Sequence, residues 1–88
     1  MVTWQVVYSQ QAQKDAITLA AKGLKVNAHN LLGVLAADPF HHPPPYEKLA
    51  GDLSGAYSRR INIQHRLVYE VLPNEGVVRV LRLWTHHE

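Results

Sequence analysis

Cysteine is absent from the chain, which rules out a disulfide framework and any thiolate metal site. That absence fits a reducing compartment, and a metal would have to be held by histidine or carboxylate. No stretch approaches the roughly 20 consecutive apolar residues of a membrane span. The opening Met-Val-Thr-Trp-Gln carries no basic segment leading into an apolar core. A soluble cytoplasmic protein without a membrane partner is therefore expected. Arginine is missing from the first 58 residues: all five lie between Arg59 and Arg82, and residues 1–46 carry only Lys14, Lys22 and Lys25 as fixed cations. The cations best fitted to phosphate are thus gathered in the C-terminal half. A net charge of +2 and a pI near 9.2 permit nucleic-acid binding without demanding it.

With 88 residues there is room for one domain, a single unit over 1–88, whose core buries roughly 60 to 65% of the unfolded surface. Thr3 to Tyr8 alternates Trp4, Val6 and Tyr8 on one side and reads as a first strand. Ser9 offers an N-cap, Ala12, Ala16, Leu19 and Ala20 recur at helical spacing, and Gly23-Leu24 supplies the stop. A second helix from about Lys25 carries Ala28, Leu31, Leu32 and Leu35 as its stripe and ends before Asp38-Pro39. The short connection makes the two an antiparallel hairpin. Residues 38–46 hold four of the five prolines and predict a stiff extended connection that delivers Glu47 in a fixed position.

Three strands are expected to follow, at about 56–61, 65–72 and 77–84, with Pro73-Asn74-Glu75-Gly76 as the last turn. The implied fold is α+β: a two-helix hairpin packed on one face of a twisted, mostly antiparallel sheet of about four strands, the other face left for a ligand. Centring the first hairpin on Ile63 makes Arg60 and Arg66 cross-strand neighbours, and like charges so placed point to an anion between them. In the last strand, alternation groups Val77, Arg79, Leu81, Leu83, Thr85 and His87 against Val78, Val80, Arg82, Trp84 and His86. The first, more aliphatic group is expected to face the helices, with Arg79 as its misfit.

Near the open face stand Glu47, Arg60 and Arg66, and the terminal Trp84-Thr85-His86-His87-Glu88. Together they match a metal-free ribonuclease. Such an enzyme needs a base for the ribose 2′-hydroxyl proton, cations around the phosphorane-like transition state, and an acid for the departing 5′-oxygen. Each member also has an ordinary reading. A lone Glu is usually a solvated surface residue, the arginines could pair with Asp52, Glu70 or Glu75, and Tyr57 and Tyr69 are more often core than base-stacking platforms. His65 reads as structural. His86 and His87, adjacent on a strand, point to opposite sides, and the adjacent His41 and His42 read as solvent-facing, so no metal site and no cofactor is expected.

The run Tyr46-Glu47-Lys48-Leu49, Asp52-Leu53-Ser54-Gly55, Tyr57-Ser58-Arg59-Arg60-Ile61, His65-Arg66-Leu67-Val68-Tyr69, closing on Trp84-Thr85-His86, resembles the YoeB toxins of type II toxin-antitoxin pairs, relatives of the RelE toxins. The resemblance implies a fold similar to small microbial ribonucleases and an endoribonuclease that cuts mRNA in the ribosomal A site. It implies Glu47 as general base, Arg66 as the phosphate-stabilising arginine, His86 as general acid and Arg60 as a further basic residue. Arg59, Arg60, Arg82, Trp84 and His87 are the expected RNA contacts. Ribosome and mRNA, an antitoxin of the YefM/Phd kind that folds on the toxin surface, and a homodimer are the partners it implies. The chain departs from the family's commonest ending, in which tyrosine follows the catalytic histidine; here that place is His87. Which terminal histidine donates the proton therefore stays open, as does a non-catalytic module that binds antitoxin or ribosome.

Overall fold

The computed structural model describes residues 4–41, 46–49, 55–62 and 65–85. Its elements are β1 (Gln5–Tyr8), α1 (Gln10–Ala21), α2 (Lys25–Ala37), β2 (Tyr46–Lys48), β3 (Ala56–Arg60), β4 (His65–Leu72) and β5 (Val77–Thr85). The strands form a five-stranded sheet in the order β1-β5-β4-β3-β2. The last four in the chain pair antiparallel, and β1 joins β5 in parallel. The α+β reading holds, with one strand more than expected. The extra one is β2, too short to show a period-2 signal. No described helix is long and apolar enough to cross a membrane.

Local chemistry sets the helix ends. The Ser9 side chain accepts from the Ala12 N–H, satisfying one of the orphan donors of the first turn. At the other end Gly23 adopts φ 77°. Its N–H donates to the Ala20 carbonyl, and the Leu24 N–H reaches back to that of Leu19. This paired closure needs a left-handed residue after the cap, where a side chain would be strained. α2 ends at Asp38, the residue before Pro39.

The helices cover one face of the sheet. Ala12, Leu19, Ala28, Leu31 and Leu35 meet Ile61, Leu67, Tyr69, Val78, Val80 and Leu83 in one buried cluster. Leu35 and Leu67 are wholly buried, and truncating either to alanine should cost about 2–5 kcal/mol. The strand β4 alternates between faces, with Leu67 and Tyr69 in that cluster, Val71 packed against it, and Arg66, Val68 and Glu70 on the other side.

The strand β5 does not keep one alternation. Val68 pairs with Arg82 but Tyr69 pairs with Val80, so Leu81 is an extra, bulged residue that resets the parity. Before it Val78 and Val80 face the helices, both fully buried, and after it Leu83 does. The expected grouping is therefore corrected for Val77 to Val80 and holds for Arg82 and Leu83. Arg79 ceases to be a misfit: it lies opposite Glu70 on the outer face and forms an ion pair with it.

The bulge falls where β1 ends. Tyr8 is the last β1 residue paired to β5, at Val80, and beyond it the β5 backbone needs new partners. The Ser9 N–H donates to the Val80 carbonyl at 2.9 Å, its hydroxyl to the Leu81 carbonyl at 2.9 Å, and the Leu83 N–H donates to an Asp15 carboxylate oxygen at 3.0 Å. The start of α1 thus replaces a strand along that edge.

Candidate active site on the outer face of the sheet

Register alone assembles the outer face. Glu47, Ser58, Val68 and Arg82 form one row across β2, β3, β4 and β5, and Arg60 and Arg66 form the next row on the same side. Ser58 and Val68 are both only 2% exposed and make a closed floor. From it the longer polar side chains rise.

At the centre an Arg66 Nη1 donates to a Glu47 carboxylate oxygen at 3.0 Å. The same nitrogen lies 3.5 Å from the Ser58 hydroxyl. Glu47 is 67% exposed and Arg66 20%. An ion pair this open contributes about 0–1 kcal/mol, and Arg60 beside Arg66 works against it through like-charge repulsion. The face is therefore poorly explained as a device for stability. A half-sunk guanidinium, a second cation one strand over and an accessible carboxylate make a charge cluster of the kind that suits a phosphodiester.

Two of the expected RNA contacts are placed elsewhere. Arg59 is completely buried on the helix-facing side, where it donates to the Tyr69 hydroxyl and to the carbonyls of Pro39 and His41. The alternation of β3 explains the difference: adjacent arginines must point to opposite faces, and Arg60 takes the outer one. Arg82 does begin on the outer row, but its guanidinium wraps to α1, with Nε 2.7 Å from one Asp15 oxygen and Nη2 3.3 Å from the other. Burial pulls the Asp15 carboxyl upward, yet the hydrogen bonds from Arg82, the Leu83 N–H and Gln11 outweigh it and hold the group below the usual aspartate value. No sequence signal marked Asp15 as the partner, since 67 residues separate it from Arg82.

Trp84 stands opposite Arg66 in the register. His86 and His87, as well as the suggested partner Asp52, lie outside the described residues. His65 is buried, with its ring Nδ1 3.0 Å from the Asn62 side-chain oxygen that also accepts its own N–H, so it closes the hairpin as expected. Tyr69 is buried too. Its hydroxyl donates to the Pro39 carbonyl at 2.8 Å, and burial raises its pKa above the ordinary tyrosine value against the opposing influence of Arg59.

This sequence and fold have parallels among known proteins. The family model of the YoeB-like toxins of bacterial type II toxin-antitoxin systems matches residues 6–87. The chain belongs to that family. It is similar to the toxin YoeB of Streptomyces coelicolor, 34% identical over 76 residues that cover 84% of this chain and 90% of that one. Among solved structures it is similar to a YoeB/ParE toxin from Agrobacterium tumefaciens, with a TM-score of 0.83 at 25% identity over 94% of this chain and 99% of the other. The YoeB–YefM complex from Staphylococcus aureus gives 0.79 at 29% identity, covering 96% and 98%. The protein is accordingly a toxin of the type II toxin-antitoxin class.

Proposed function

We propose that the protein is an endoribonuclease that cuts ribosome-bound mRNA without a metal, using Glu47 as base, Arg66 as the stabiliser of phosphate charge and His86 as acid. The observation that carries this reading is the Glu47–Arg66 contact at 3.0 Å with Arg60 directly across the hairpin. In the free protein the carboxylate engages one nitrogen of the guanidinium fork that a phosphate would take. An incoming phosphodiester exchanges one anion for another on Arg66 and releases Glu47 toward the ribose.

Glu47 then accepts the 2′-hydroxyl proton as that oxygen bonds to phosphorus. Arg66 and Arg60 neutralise the charge gathering on the non-bridging oxygens. The bond from phosphorus to the 5′-oxygen breaks, and His86 protonates the leaving oxygen. A 2′,3′-cyclic phosphate and a 5′-hydroxyl result. His86 enters this scheme from the family resemblance, with His87 as a base contact beside it.

The ribosome is part of the proposal because the chain has few cations to spend on free RNA. Its net charge is only +2, so much of the affinity for mRNA must come from a pre-bound complex. A partner of the YefM kind is proposed by analogy with the Staphylococcus aureus complex. Induced expression should arrest growth and leave mRNA cut within coding frames, and co-expression of the cognate antitoxin should relieve the arrest. Arrest without cut mRNA, persisting in Glu47→Gln, would instead mark a non-catalytic module that binds the ribosome.

A further inference from the structure

A three-residue edge strand is a weak platform for a catalytic base. Among the described residues the strand β2 pairs only with β3, and such an edge would fray unless something else held it. What holds it lies on the opposite side of the sheet from the site. The Arg59 guanidinium carbon sits 5.0 Å from the centre of the Tyr46 ring, its register partner on β2. One Nη of Arg59 donates to the carbonyls of Pro39 and His41, each at 2.9 Å, and the Nε lies 3.3 Å from the Tyr69 hydroxyl. Phe40, Tyr46 and Tyr57 pack edge-on or tilted around the same point with centroids 5.3 to 5.8 Å apart, and Tyr57 stacks on Tyr69.

We infer that buried Arg59 is a positioning residue for the Glu47 base, acting through Tyr46. Adjacent residues of a strand point to opposite faces, so a Tyr46 ring held inward beneath the guanidinium forces Glu47 outward toward Arg66. The same guanidinium ties β2 to the segment that leaves α2, through the Pro39 and His41 carbonyls. Lysine cannot reproduce this: a single ammonium lacks the planar fork that serves a hydroxyl, two carbonyls and a ring face together. The inference rests on the proposed role of Glu47 and deepens it, giving Arg59 a part that touches neither RNA nor the reacting atoms.

The test compares Arg59→Lys and Tyr46→Leu with the wild-type chain, after circular dichroism confirms folding. Both should lower the cleavage rate at saturating programmed ribosomes by about 10- to 100-fold, as expected for a displaced catalytic group, while KM and the salt dependence of binding hold. In a Glu47→Gln background, adding Arg59→Lys should cost no more than about twofold further, because two residues serving one step do not add. Independently of activity, the Leu49 amide, which donates to the Ala56 carbonyl, should exchange about tenfold faster relative to the amides of β5.

A folded Arg59→Lys chain that cleaves like wild type, or a full multiplicative loss in the Glu47→Gln background, overturns the inference. So does a loss confined to KM with a shallower salt dependence, which would make Arg59 an RNA contact. If Arg59→Lys fails to fold, Tyr46→Leu carries the test on the same terms. Should Glu47→Gln itself cleave like wild type, the site reading falls, and unchanged exchange at Leu49 would then overturn the clamp as well.

Discussion

Glu47 and Arg66 were separable in the sequence only as types of residue; what the fold adds is that they touch, at 3.0 Å, on a face whose floor is closed. A contact between exposed ions is inexpensive to break, so the pair can open for substrate at a cost of about 1 kcal/mol or less. Removing Arg66 should be felt in the transition state rather than in folding. Arg66→Lys is expected to lose activity while keeping its melting temperature, because an ammonium restores the charge but not the two-pronged geometry; full activity would show that charge alone suffices. At the chain end, His86→Gln should abolish most cleavage and His87→Tyr should preserve it. The reverse order in single-turnover assays would move the acid by one position.

Among the elements, β5 shows most clearly how far a sequence can be read. The boundaries of β4 and β5, the Ser9 cap, the Gly23 stop and the Arg60–Arg66 pairing all followed from local rules, each depending on residues within a few positions of one another. The Leu81 bulge did not, because it answers a need created by another element: the end of β1 and the arrival of α1 at the β5 edge. The inward turn of Arg59 was legible from the alternation that sends Arg60 outward, but its partners Tyr69 and Pro39, and the Asp15 that engages Arg82, come together only in the folded sheet. Asp15 is the keystone of that edge, accepting from Arg82 and the Leu83 N–H while only 11% of its side chain is exposed. Asp15→Ala should therefore destabilise the protein by about 1–3 kcal/mol at neutral pH. Because the folded state holds this carboxyl below its unfolded value, its contribution is present above about pH 3.9 and fades as the pH falls through the lower folded value. Urea titrations should show the gap between wild type and Asp15→Ala closing at low pH; a gap independent of pH would refute the assignment.

Across the whole molecule, the division of labour is by face. The helices seal one side with alanine and leucine, and the outer side carries Glu47, Arg60 and Arg66. Arg59 is turned inward and Arg82 is engaged by Asp15, and Arg79 lies two register rows from Arg66's neighbour Val68 with its own partner Glu70, so the proposed site counts Arg60 and Arg66 as its phosphate-facing arginines. Binding of free single-stranded RNA should then be weak, with a log–log salt slope of about −1 to −2, as expected for neutralising two phosphates. A slope steeper than about −4 would mean that Lys14, Lys22 and Lys25 on the helical side also take part.

The central claim, that this outer face is catalytic, is tested most directly by single-turnover cleavage of mRNA on programmed ribosomes, with the product ends identified for wild type and Glu47→Gln. Wild type should yield a 2′,3′-cyclic phosphate and a 5′-hydroxyl, and Glu47→Gln should slow that step by about 100-fold or more with ribosome binding unchanged. Equal rates for the two proteins, or wild-type products ending in a 5′-phosphate, would contradict it.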